Sequence, residues 1–153
     1  MSGHPRSAQQ LAELSAEAML SGDPASTRLG MVVEEVRPGY ARLRMTVVAY
    51  MINSHNICHG GYVFTLADSA FAFACNTYNR VTVASGATID FLAPVYLEDE
   101  LTAVATEQAL GGRTGVYDVV VCNQEGRKLA VFRGNSHRIG GALVNEETGE
   151  SEL

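Results

Sequence analysis

The chain has 153 residues, of which 46% are hydrophobic and 18% charged, with a formal net charge of −6. That suits one domain with a real core and excludes a disordered chain, and the acidic balance argues against non-specific nucleic-acid binding. No apolar run reaches the length of a membrane span, and no basic-then-apolar stretch opens the chain as a signal peptide would, so a cytoplasmic location is expected.

Residues 1–28 are expected to form an N-terminal segment with one short helix. Leu11, Leu14, Ala18 and Met19 recur at helical spacing within residues 8–20, and Gly22-Asp23-Pro24 ends the pattern. Residues 29–36 read as a strand, and Pro38-Gly39 has turn chemistry. Ala41, Leu43, Met45 and Val47 then alternate with Arg42, Arg44 and Thr46, which completes a hairpin. Residues 49–59 form a polar loop. Over residues 60–76 the spacing turns helical and apolar nearly all round, which predicts a buried helix.

Four strand-like runs follow, at residues 82–91, 100–110, 114–122 and 127–137. Gly111-Gly112 and Glu125-Gly126 separate the last three as hairpins. Residues 142–153 are polar and acidic and are expected to be a flexible tail that frays. Short connections favour an antiparallel sheet, and one apolar helix needs cover on most sides. The expected class is therefore α+β, a strongly curved antiparallel sheet wrapped around one long helix.

Two features of the helical segment exceed a structural role. Asp68 is the only charged residue in residues 60–76 and lies about two turns inside the helix, too deep to be an N-cap. Losing hydration there costs a carboxylate several kcal/mol unless the group is paired or reactive, on the order of the cost of a buried unpaired ion. Either Asp68 is held by a hydroxyl such as Thr65 or Ser69 or by a loop amide, or it does chemistry. The second feature is His59-Gly60-Gly61 at the helix start. Glycines admit a close ligand, and the first turn offers unpaired N–H groups to a developing oxyanion. A tight entry turn is the plainer alternative. Gly60 and Asp68 are eight residues apart, about 12 Å along the axis, so one carbonyl reaches both only if Asp68 comes from a two-fold-related subunit.

Three cysteines, Cys58, Cys75 and Cys122, show no C-x-x-C spacing, so no disulfide framework is expected. His55, Cys58 and His59 supply at most three ligands with no second cluster nearby, so no metal site is expected. Cys58 beside His59 is a weak candidate nucleophile, because adjacent side chains point apart.

Asn53-x-x-x-x-x-His59-Gly60-Gly61, then Phe64-Thr65-Leu66-Ala67-Asp68 and Ala70-Phe71-Ala72, resembles the hotdog-fold acyl-CoA thioesterases, and more closely their phenylacetic acid degradation branch, the PaaI family. Thr88-Ile89-Asp90-Phe91-Leu92, Thr114-Gly115-Val116-Tyr117-Asp118, Phe132-Arg133-Gly134 and Ser136-His137-Arg138-Ile139-Gly140-Gly141 extend the likeness, so residues 29–141 are expected to be the hotdog thioesterase domain. The resemblance implies hydrolysis of acyl-CoA, with Asp68 as general base or nucleophile and the Gly60 amide polarising the thioester carbonyl. His59 and Asn53 would shape the site and orient the thioester or water. The Gly112-Arg113-Thr114 turn and Arg138 would contact the CoA moiety, which belongs to the substrate, so no separate cofactor is implied. It further implies a homodimer with shared sites, pairing into a homotetramer. Tyr62, Phe64 and Phe71 either line an aromatic acyl pocket for phenylacetyl-type groups or belong to the core. The rival readings are a hotdog enoyl-CoA hydratase and a non-catalytic acyl-CoA-binding domain.

Overall fold

In the computed structural model, which describes residues 4–153, Ser7 opens the first helix with a capping box. Its hydroxyl accepts from the Gln10 amide at 3.1 Å, and its own amide donates to the Gln10 side chain at 2.8 Å. This helix, α1, runs Ala8–Ser21. A second helix, α2 (Pro24–Arg28), follows where only a helix stop and then a strand were expected. Asp23 caps it by accepting from the Ser26 amide at 3.0 Å, and Pro24 sits in the first turn, where its missing N–H costs nothing. Gly30 then turns the chain at φ +72°, and the strand expected from residue 29 starts at Val32.

The remaining elements are β1 (Val32–Arg37), β2 (Tyr40–Thr46), a single 3-10 turn (Ala49–Met51) within the expected loop, α3 (Gly60–Cys75), β3 (Thr82–Phe91), β4 (Glu100–Gly111), β5 (Thr114–Cys122) and β6 (Lys128–Arg138). One antiparallel sheet has the order β1-β2-β4-β5-β6-β3. It curves around α3, which touches all six strands. The alternation expected for β2 holds: Ala41, Leu43, Met45 and Val47 are buried while Arg42 and Arg44 reach outward to carboxylates. Opposite them α3 buries Val63, Leu66, Ala67, Ala70, Phe71, Phe73 and Ala74. Gly134 on β6 is required by this packing, because a Cβ there would stand 2.8 Å from the Phe71 ring.

Two departures from the sequence reading position the site. The helix is not covered all round: Thr65, Asp68, Ser69 and Ala72, spaced three and four apart, form a partly exposed stripe. Strand β3 closes one edge of the sheet and is largely open, with Val83 and Phe91 strongly exposed. The tail also differs from the frayed end expected. Leu143 and Val144 are buried, and a Val144–Ser151 bridge folds residues 143–153 back on themselves. The apolar pair inside an otherwise acidic stretch is what anchors it.

Candidate active site

The start of α3 has four amides with no i−4 acceptor in the helix, and the sequence disposes of three of them. His59 is the N-cap, and its Nδ1 accepts from the Gly61 amide at 2.9 Å. The Tyr62 amide donates to the His59 carbonyl at 3.0 Å. The Gly60 amide is left with no protein acceptor among the described residues. Because Nδ1 accepts, Nε2 is the ring nitrogen left to donate. The His59 amide donates to the Met51 carbonyl at 2.7 Å, which pins the cap to the preceding loop.

Asn53 organises that loop. Its Oδ1 accepts from the His55 amide at 2.9 Å, and its own amide donates to the Ile57 carbonyl at 2.9 Å. Its Nδ2 has no acceptor among the described residues, so that end of the side chain is the part open to a ligand.

Asp68 lies on the open stripe of α3, half-buried. Burial alone pushes its carboxyl above the ordinary value of 3.8, and no cation or donor pulls it back. The two hydroxyls that were candidates to hold it are occupied elsewhere. Thr65 Oγ1 donates to the Gly61 carbonyl at 2.7 Å, and Ser69 Oγ meets Ser26 Oγ of α2 at 3.2 Å. Among the described residues Asp68 therefore has no hydrogen-bonding partner, and a carboxylate of raised basicity remains.

The four residues expected to contact CoA come together at the opposite end of α3. Gly112, at φ +58°, turns the β4–β5 hairpin, and Thr114 Oγ1 donates to the Gly111 carbonyl at 2.9 Å. The Arg138 amide donates to the Arg113 carbonyl at 2.8 Å, joining the turn to the end of β6. Gly112, Arg113, Thr114 and Arg138 line one narrow cleft with Tyr78 and Thr82. One chain thus holds three separate parts: the Gly60 donor, Asp68 about 12 Å further along the axis, and the cleft beside Cys75, about 22 Å from Gly60.

Several other sequence readings are decided by packing. Phe64, only partly buried, stacks edge-on against Phe132 with centroids 5.3 Å apart, and the buried Phe71 packs on Tyr117 at 5.6 Å. Tyr62 is half-exposed and meets Tyr50 edge-on at 6.1 Å. Cys58 is buried, and burial together with nearby Asp99 pushes its thiol up to about 11, the reverse of an activated nucleophile. Phe91 was not singled out by sequence. Its ring lies on Gly60 so closely that a Cβ at residue 60 would stand 2.9 Å from the ring tip. Sequence put Phe91 at the end of a strand-like run, but the register that brings it to Gly60 has no local signal.

Residues 55–130 match the thioesterase superfamily. The chain is 47% identical over 131 residues to the acyl-coenzyme A thioesterase PaaI of Escherichia coli (strain K12), which covers 86% of this chain and 94% of that protein. The chain belongs to the PaaI family of hotdog thioesterases. It is a thioester hydrolase. The solved structure of E. coli PaaI, from the phenylacetic acid degradation operon, superposes with a TM-score of 0.87 at 46% identity, covering 89% of this chain and 99% of that one. A Streptococcus pneumoniae hypothetical thioesterase solved with coenzyme A superposes at 0.71 with 28% identity, over 73% of this chain and 88% of that one. The hotdog architecture expected from the sequence is therefore the architecture of this PaaI-family chain.

Proposed function

We propose that this hydrolase cleaves acyl-CoA thioesters, phenylacetyl-type groups among them, at sites shared between two subunits. The observation that carries the reading is the unpartnered carboxylate of Asp68 on the open stripe of α3. The thioester oxygen accepts from the Gly60 amide, where the helix dipole favours developing negative charge. Gly61 is not a second donor, since His59 already holds its N–H. Asp68 either takes a proton from water, whose oxygen attacks the carbonyl carbon, or attacks that carbon itself to form a mixed anhydride that water then opens. In both routes the C–S bond breaks and CoA leaves as a thiolate, so no strong general acid is required. His59 at the N-cap and Asn53 in the loop before it would orient the thioester or the water.

The spacing supports sharing. An antiparallel partner helix would set its Asp68 opposite Gly60. The partner's Cys75 end would then lie about 10 Å from the reacting carbon, against about 22 Å for the first chain's own. On this reading the subunit that lends Asp68 also lends the Gly112–Thr114 turn and Arg138 to the CoA moiety. The open β3 edge, with Phe91 exposed beside Gly60, offers the surface for that pairing. A tetramer of two such dimers in the cytoplasm completes the reading carried by the resemblance.

The test is thiol release from phenylacetyl-CoA by the wild type and Asp68→Asn side by side. Rapid release that collapses in a folded mutant of unchanged assembly supports the reading. Equal rates remove Asp68 from the mechanism. Absence of release from a panel of acyl-CoAs, with CoA still bound, favours a non-catalytic acyl-CoA-binding domain instead.

A further inference from the structure

The loop between α3 and β3, with the first residue of β3, supplies one wall of the Gly112–Thr114 cleft, through Tyr78 and Thr82. It is irregular, yet it is fastened from several sides. Asn76 grips Thr82 by accepting from its amide at 2.9 Å and donating to its carbonyl at 2.9 Å. The Tyr78 hydroxyl donates to the Glu107 carboxylate at 2.6 Å. The Ile139 amide donates to the Val81 carbonyl at 3.0 Å, and the Val81 amide donates to the Gly141 carbonyl at 3.1 Å.

The tip of this loop is Asn79, which is 0% exposed and has a left-handed backbone with φ +56°. Among the described residues its side chain bonds only to the C-terminal tail. Oδ1 accepts from the Leu143 and Val144 amides, both at 2.9 Å, and Nδ2 donates to the Val144 carbonyl at 2.9 Å. Asparagine is suited to this place: it tolerates the left-handed region, and one amide group supplies both acceptor and donor. The tail is itself closed, with the Asn145 amide on the Glu150 carbonyl at 2.8 Å. The N-terminal segment holds it from outside, through Arg6 Nη2 on the Glu147 carbonyl at 3.2 Å.

We propose that the tail is a strap that, through Asn79, sets the Tyr78–Thr82 wall and thereby the affinity for the nucleotide end of CoA. Asn79 is a positioning residue and touches no substrate. The proposal rests on the reading that this cleft takes CoA. It also runs against simple electrostatics. The tail carries Glu146, Glu147, Glu150 and Glu152, which repel a polyanion, so a tail acting by charge alone would weaken CoA binding and its removal would tighten it. A strap predicts the opposite sign.

The decisive comparison uses the wild type, Asn79→Gly and a chain ending at Ala142. Glycine keeps the left-handed backbone and deletes only the amide group. Calorimetry gives the Kd for CoA, and kinetics give kcat and KM for phenylacetyl-CoA and for phenylacetyl-pantetheine, which lacks the nucleotide. The strap predicts that both variants raise the Kd for CoA and the KM for phenylacetyl-CoA about tenfold. It predicts kcat within about twofold of wild type and no change in KM for the pantetheine substrate. Unchanged or tighter CoA binding by Asn79→Gly overturns it, as do equal losses with both substrates. A wild type that binds CoA without hydrolysis removes the hydrolase reading, while the Kd comparison still decides the strap.

Discussion

One helix presents two faces with opposite fates. On the inner face of α3, Val63, Leu66, Ala67, Ala70, Phe71 and Ala74 are almost wholly excluded from water by the sheet. On the outer stripe, Thr65, Asp68, Ser69 and Ala72 stay partly open. The inner face contains nothing that reacts. On the outer stripe the two hydroxyls are already bonded, to the Gly61 carbonyl and to Ser26, and the carboxylate alone is left over. The difference teaches that the informative signal is not a polar residue on an apolar helix, but the polar residue whose neighbours have other partners.

Substitutions on the two faces should therefore separate stability from catalysis. Leu66→Ala on the inner face is expected to cost about 2–5 kcal/mol of unfolding free energy, read by denaturant titration, with little change in kcat of the folded enzyme. Asp68→Asn is expected to do the reverse, lowering kcat about 10²–10⁴-fold. It should also raise the melting temperature at neutral pH. The folded-state pKa of Asp68 lies above 3.8, so wild-type stability falls as pH rises from 3.8 through that higher value, whereas asparagine feels no such change. The melting advantage of Asp68→Asn should thus vanish below the ordinary carboxylate range. By the same sign, the acid limb of wild-type kcat/KM should fall at a pH above 3.8, because the proposed mechanism uses the carboxylate form.

The Gly60 donor can be isolated by comparing two substitutions that both add a Cβ against Phe91. Gly60→Ala keeps the N–H, while Gly60→Pro removes it at a first-turn position where proline fits the backbone. Proline should be the slower of the two by about 10²–10³-fold in kcat, the effect of losing one oxyanion donor. The smallest effect expected is that of His59→Ala on folding, about 1 kcal/mol by denaturant unfolding for a lost N-cap acceptor.

Much of this was legible in the chain. The α3 period, the Pro38-Gly39 and Gly111-Gly112 turns, and the alternation of β2 are local signals, and they led to the antiparallel sheet around one helix. Asp68 and Gly60 were legible as well, because a lone carboxylate and a glycine pair interrupt strong patterns. The failures are all at long range or at competing caps. Asp23-Pro24 begins α2 as readily as it ends α1, so the following strand starts later than its apolar run suggests. Phe91 reaches Gly60, and Asn79 reaches Leu143 and Val144, only through a folded register that no local spacing encodes.

The shared site is the claim on which the mechanism turns, and mixing two inactive chains tests it most directly. Gly60→Pro and Asp68→Asn are each unfolded, combined in equal amounts and refolded, and thiol release from phenylacetyl-CoA is measured. If each site takes Gly60 from one subunit and Asp68 from the other, about half of the re-paired dimers are mixed and carry one complete site. About a quarter of wild-type activity should then return. Activity no greater than the sum of the two variants refolded separately would contradict a site built across the subunit interface.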